Sequence, residues 1–211
     1  MAEAARARDL SKQETREALL RAAMAEFAEH GLDAPSLDGI CARAGFTRGA
    51  FYVHFRDRED LVAAVMERVL GAFLDAVVAR GEGERGLAAT VERFAAAVSA
   101  QREARAGGRG STVDPAAAWG APGVPFHQVL AACSRSPDLR RRFVSILEEA
   151  VRRVARAAEA EGQRSPEALA TLLVLLALGV RAALDLDLAV EVAAPRDALL
   201  RLLEASAPRR P

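Results

Sequence analysis

Apolar positions along this chain fall on stripes spaced for helices. Leu19, Leu20, Ala23, Met24 and Phe27 form the first stripe. Ser11-Lys12-Gln13-Glu14 ahead of it fits a capping box, and Gly31 is placed to end the helix. Ser36 is a candidate cap for a short second helix to Ala44, with Leu37, Ile40 and Cys41 facing inward. Gly45-Phe46 reads as a tight turn, and Thr47 as the cap of a third short helix, Arg48 to about His54. Asp57 opens a fourth helix to about Arg80, with Leu61, Val65, Val69 and Phe73 on its inner stripe.

Gly81, Gly83 and Gly86 then break the pattern. A fifth helix is expected over about Leu87–Glu103. Residues 105–125 hold five glycines and three prolines around Trp119, which predicts a long irregular loop. A sixth helix follows over about Phe126–Arg135, and Ser136-Pro137 starts a seventh to about Glu161. Ser165-Pro166 caps an eighth to about Leu186, and Pro195 opens a ninth to about Glu204. The Arg-Pro tail is expected to be disordered. The fold class is therefore all-α. Alanine, leucine and arginine dominate the composition and favour helix, while strand formers are sparse apart from valine.

Charge changes the picture locally. The formal net charge is zero, so the whole chain does not advertise nucleic acid as a partner. Between Gly39 and Arg58, however, Arg43, Arg48, Arg56 and Arg58 face a single acid, Asp57. Cys41 and Cys133 have no metal-ligand spacing, which argues against a disulfide framework or a metal site. No catalytic constellation, glycine-rich phosphate loop or cofactor motif is present. An enzyme on a helical scaffold is the weakest reading. The longest near-apolar run, Ala168–Val180, is thirteen residues broken by Thr171. That is short of the about 20 a membrane helix needs. With no secretory pattern at the start, a cytoplasmic protein without a membrane span is expected.

Two short helices joined by a glycine turn, behind a longer first helix, make a helix-turn-helix. The second of the pair needs small or polar residues at its start, because that end enters the major groove. Here those are Thr47, Arg48, Gly49 and Ala50. Over about 50 residues the pattern Phe27-x3-Gly31-x4-Ser36-x3-Ile40-x3-Ala44-Gly45-x3-Gly49-x2-Tyr52-x-His54-Phe55-x2-Arg58-x2-Leu61 resembles the N-terminal signature of TetR-type (TetR/AcrR) transcriptional regulators. Cys41 stands where that family usually has alanine, and Arg58 where it usually has lysine.

The resemblance implies a nine- or ten-helix fold, a double-stranded DNA operator as partner and a homodimer released from DNA by a small-molecule effector. Its DNA contacts, carried over, are Ser36, Thr47, Arg48, Gly49, Ala50, Tyr52, His54 and Arg58. Arg48 and Thr47 are positioned for base edges, arginine pairing well with guanine. Tyr52, His54 and Arg58 are the family's phosphate contacts. Capping alone is an equal account of Ser36 and Thr47, and Tyr52 has a competing role in the core. The expected division is a mobile arm over 1–10, a DNA-binding domain over 11–57, a ligand-binding and dimerisation domain over 58–205 and a tail over 206–211.

Downstream residues are read more loosely. Leu172–Val180 is apolar around its whole circumference, so that helix must be covered on more than one side. The resemblance implies dimerisation through about 165–186 and 195–204, which this helix and the leucines at 199, 200, 202 and 203 support; a helix buried wholly within one subunit is the rival reading. Candidate pocket residues are Met66, Phe94, Trp119, His127 and Phe143. For His127 a surface position is the rival reading. For Trp119 the loop is either a lid over the pocket mouth or a spacer pinned to the outside. The clusters Arg140–Arg142 and Arg152-Arg153-Arg156 read as solvated faces, with Glu148 and Glu149 able to pair along the helix with the second. A regulator of the same fold that activates, or that takes no effector, is the alternative function.

Overall fold

The computed structural model describes residues 2–78, 86–106, 125–186, 188 and 191–206. Among them are nine helices and no strand: α1 Ala2–His30, α2 Leu37–Ala44, α3 Arg48–His54, α4 Arg58–Val77, α5 Leu87–Ala106, α6 Phe126–Arg135, α7 Pro137–Ala160, α8 Pro166–Asp185 and α9 Ala193–Ser206. They divide into two compact units, one within Met1–Arg68 and Ala121–Phe143, the other within Val69–Gly120 and Val144–Pro211. The first unit thus takes in α6 and the start of α7, which the sequence reading assigned downstream.

Segment 1–10 is not set apart as an arm. Helix α1 begins at Ala2 and runs through Ser11, which caps nothing; instead the Thr15 hydroxyl donates to the Ser11 carbonyl at 2.9 Å, one turn back. Four alanines and two arginines in the first eight residues are strong helix formers, so an existing helix propagates through them. Helix α5 likewise runs past Glu103 to Ala106. The expected tail beyond Ser206 and the loop around Trp119 lie outside the described residues.

In the first unit Leu19, Leu20, Ala23 and Phe27 of α1 pack with Ile40, Phe51, Phe55 and Leu61, all at most 2% exposed. Helix α6 and the start of α7 are tied to this core by side chains. The Leu32 N–H donates to Gln128 Oε1 at 2.8 Å. Ser136 donates to Glu59 at 2.5 Å, Arg142 to Asp60 at 2.7 Å and Arg135 to Asp33 at 2.9 Å.

The second unit has two buried clusters. Leu87, Val91, Val154, Ala158, Ala170 and Leu203 form one; Phe73, Val77, Val98 and Leu184 form the other. Glu161 caps α5 by accepting the Leu87 N–H at 2.8 Å. Helix α9 starts two residues before Pro195 because Glu191 accepts the N–H groups of Ala193 and Ala194, at 2.9 and 3.1 Å. Ser165 makes no side-chain cap bond to α8, so Pro166 alone marks that start. Arg153 pairs with Glu149 at 3.0 Å along the helix, as expected, but two arginines read as solvated also make ties within their units: Arg142 to Asp60, and Arg153 to Asp75 at 2.6 Å.

The apolar run in α8 sits inside a 20-residue helix that contains an 18-residue window of mean hydropathy 1.9, long and apolar enough to cross a membrane by length and composition. That corrects the count made from the run alone. The helix ends in a buried ion pair, Arg181 to Asp185 at 3.2 Å, and Leu172, Leu175 and Leu176 are 64%, 58% and 46% exposed.

Candidate nucleic-acid interface and effector cavity

The turn between α2 and α3 is built from caps. Ser36 Oγ accepts the Gly39 N–H at 3.0 Å, which fixes where α2 begins. Gly45 ends it with φ +77°; its N–H donates to Ala42, and the Phe46 N–H donates to Cys41 at 2.9 Å. This pair of bonds satisfies carbonyls that would otherwise be orphaned, and the left-handed conformation suits glycine. Thr47 then caps α3 by accepting the Ala50 N–H at 3.4 Å. The helix closes with the Phe55 N–H on the Phe51 carbonyl at 3.0 Å; at the start of α4 Asp57 then accepts the Asp60 N–H at 2.8 Å, while Asp60 accepts the Arg56 N–H at 3.1 Å. Burial raises the Asp60 carboxyl, but that N–H and the Arg142 guanidinium outweigh it and hold the group below its usual range.

These caps leave one face of α3 open. Thr47, Arg48, Gly49 and Tyr52 are exposed, Ala50 and His54 are half-buried, and Phe51 anchors the helix in the core. Tyr52 is 55% exposed, so it is not a core residue; its ring meets Phe51 edge-on at 5.3 Å. Arg48 Nε lies 3.2 Å from Asp38 on α2. Both side chains are well exposed, and a surface pair of this kind is worth under about 1 kcal/mol. It gives way readily to a stronger acceptor.

The arginine cluster does not act as one patch. Arg43 is held by Glu26 at 3.0 Å and Glu29 at 2.6 Å. The Arg58 guanidinium turns inward. It donates to the carbonyls of Leu32 and, at 3.1 Å, Pro35, and it stacks over the Phe27 ring with 5.6 Å to the centroid. The expected phosphate contact is therefore engaged as an internal fastener, because two carbonyls and a ring face suit a planar fork of donors. Arg56 stays exposed, 3.7 Å from Asp60.

Of two cations on α1 at this face, Lys12 was read from the sequence as part of an arm able to reach the minor groove, with a solvated tail as the rival, and Arg16 was missed. Arg16 lies over the Phe55 ring at 5.2 Å, and both Arg16 and Lys12 bear on His54. Burial first, then these two charges, pushes the His54 imidazole below its ordinary value. A lysine and an arginine four apart on a helix were the available signal. Val53, 64% exposed beside Tyr52, was also missed. Cys41 and Cys133 are buried, and burial raises both thiols, so neither is primed as a thiolate.

The second unit holds a cavity of about 100 Å³. It is lined by Phe73, Phe94, Ile146, Val174 and Leu199, among others, from α4, α5, α7, α8 and α9. Of the four candidate pocket residues among those described, Phe94 lines it and Met66, His127 and Phe143 do not. Met66 is buried in the core of the first unit. Phe143 packs there too, against Phe126 at 6.2 Å. His127 is exposed, as the rival reading had it. Trp119 lies outside the described residues. Apolar periodicity marked these residues as inward without showing which neighbours leave a void.

Residues 19–65 match the family model for bacterial regulatory proteins of the tetR family. The chain is 44% identical over 55 residues to the HTH-type transcriptional regulator AcrR of Shigella flexneri, 26% of each chain. It is 46% identical over 55 residues, again 26% of each, to the HTH-type transcriptional repressor BepR of Brucella suis biovar 1 (strain 1330). The match thus spans about a quarter of these relatives' length. The fold likeness extends further. A putative TetR-family regulator from Rhodococcus sp. superposes with a TM-score of 0.69 at 20% identity, covering 93% of this chain and 100% of that one. SmeT in complex with triclosan gives 0.63 at 24% identity over 92% of each chain. The capped turn and the open face of α3 thus fall within the stretch, residues 19–65, that matches bacterial regulatory proteins of the tetR family, and the chain as a whole shares the all-helical fold of solved TetR-type structures.

Proposed function

We propose that the protein is a sequence-specific DNA-binding repressor, acting in the cytoplasm as a homodimer on a near-palindromic operator and released by a small molecule. The observation that carries this reading is the exposed start of α3. Thr47, Arg48 and Gly49 stand clear of the core, on a helix capped at its start by Thr47 and anchored in the core by Phe51. Arg48 reads a base edge, while Tyr52, His54 and Ala50 meet the backbone or pack beside it. Ser36 and Thr47 set the helix ends and are close enough to the duplex to donate to phosphate. Arg58 holds the turn after α1 and contacts no phosphate directly.

The dimer is formed through α8 and α9, whose exposed leucines at 172, 175, 176 and 202 have an apolar face to cover. Two α3 helices related by a two-fold axis then meet half-sites about one DNA turn apart or a little more. The cavity in the second unit is the effector site. The names of two similar proteins fit this reading: one is a repressor, and another was solved with triclosan bound.

Selection of operators from random duplexes, with native chain and with Arg48→Ala, tests the assignment. The variant is expected to lose about 1–3 kcal/mol on the preferred site and to relax one base-pair position per half-site. An unchanged consensus with uniformly lower affinity would mean that Arg48 is not the base reader.

A further inference from the structure

The cavity walls restrict what the second unit can bind. Among the described lining residues Thr90 alone carries a polar side-chain atom, and none carries a charge. Thr90 is 7% exposed, and its hydroxyl already donates to the Gly86 carbonyl at 2.9 Å. It has acceptor lone pairs left and no proton to offer. An anion entering the cavity would find no donor, and a cation no carboxylate. Burying either without a partner is strongly unfavourable. Shape narrows the class further. Phe73 and Phe94 meet edge to face at 6.3 Å, forming an aromatic wall opposite aliphatic side chains such as Ile146 and Leu199. An apolar cavity of ~150 Å³ is known to stay dry and take up benzene. At about 100 Å³ this one suits a single ring or a molecule of similar bulk.

From these walls we infer that the second unit binds a small uncharged apolar molecule, of the size of one substituted benzene ring, and discriminates against charged compounds of the same shape. This rests on the reading of the cavity as the effector site only for its regulatory meaning. The binding preference follows from the cavity alone.

The probes are toluene, benzylammonium and benzoate, which share one ring and differ in charge. Binding to the full-length chain is followed by ligand-observed NMR. Toluene is expected to bind one site, with benzylammonium and benzoate at least about tenfold weaker, since neither charge finds a partner. Ala177→Leu and Val174→Phe, which fill the space, should abolish toluene binding with the helical circular dichroism unchanged. If the filled variants fail to fold, the comparison of the three probes on the native chain still decides. No toluene binding, or equal or tighter binding of either charged probe, overturns the inference. Toluene binding that survives both filled variants overturns the site. Operator affinity is measured in parallel with saturating toluene. Selective binding that leaves operator affinity untouched upholds the inference and counts against the cavity as the effector site.

Discussion

Arg58 shows how a side chain that matches a family pattern can also serve inside the fold. Its guanidinium ties the turn after α1 to the start of α4 through two carbonyls and the face of Phe27. Hydrogen bonds from a charged donor are worth about 1.5–3 kcal/mol, so Arg58→Ala should lower stability by about 1–3 kcal/mol in chemical denaturation. The slope of log operator affinity against log salt should stay as it is. Arg56→Ala should do the reverse, leaving stability intact and reducing the slope by about 1. A reduced slope in Arg58→Ala would return that residue to the phosphate contacts. His54 makes a prediction in pH. Its folded pKa lies below the ordinary 6.5, so the stability it contributes is complete above that value and is lost as pH falls through the folded one. A phosphate placed beside it would pull the value back up, so DNA binding takes up a proton. Operator affinity of the folded protein should therefore rise from pH 8 to pH 6, and His54→Gln should flatten that rise. The residues themselves were legible in the sequence. What was not legible is which arginines are occupied: Arg43 and Arg58 find their partners on segments 14 to 26 residues away, and only the fold brings these together.

At the scale of elements, the short helices α2 and α3 were readable almost to the residue. Their bounds are set by local chemistry: a serine, a glycine and a threonine at fixed offsets. The same chemistry predicts what breaks them. A Cβ at Gly45 would meet open space, so Gly45→Ala clashes with nothing and suffers only from φ +77°, a cost of about 1–2 kcal/mol. Ser36→Ala and Thr47→Ala should each remove about 1 kcal/mol of stability. Thermal melts set beside operator titrations at a temperature where every variant is folded separate cap from contact. An affinity loss in the folded Thr47 variant would give its hydroxyl a second role at the DNA. The start of α1 was misread because Ser11 and Glu14 satisfy a capping pattern that also occurs inside a helix. Alanine on both sides lets the helix continue, and Thr15 bonds back to Ser11 without ending it.

For the whole molecule, the sequence told the architecture and stopped at the interior. Nine helices follow from periodicity and punctuation, but a void is the shortfall left by side chains from five of them, and no single stripe announces it. The leucine face of α8 was legible as needing cover. If a second copy supplies the cover, the melting temperature should rise with protein concentration, as mass action requires. A double change of Leu172 and Leu175 to Glu should give a monomer in analytical ultracentrifugation that has lost tight operator binding; a dimer that persists would move the interface elsewhere. The cavity has one more consequence, for mechanics rather than recognition. Helices that leave a cleft of about 100 Å³ between their apolar side chains pack less densely than they could, and hydrostatic pressure favours whichever state is smaller. Compression should therefore open the helices around Phe73, Phe94 and Val174 at a lower pressure than a version with Ala177→Leu withstands. A bound hydrocarbon, having taken up the slack, should harden the native protein in the same way.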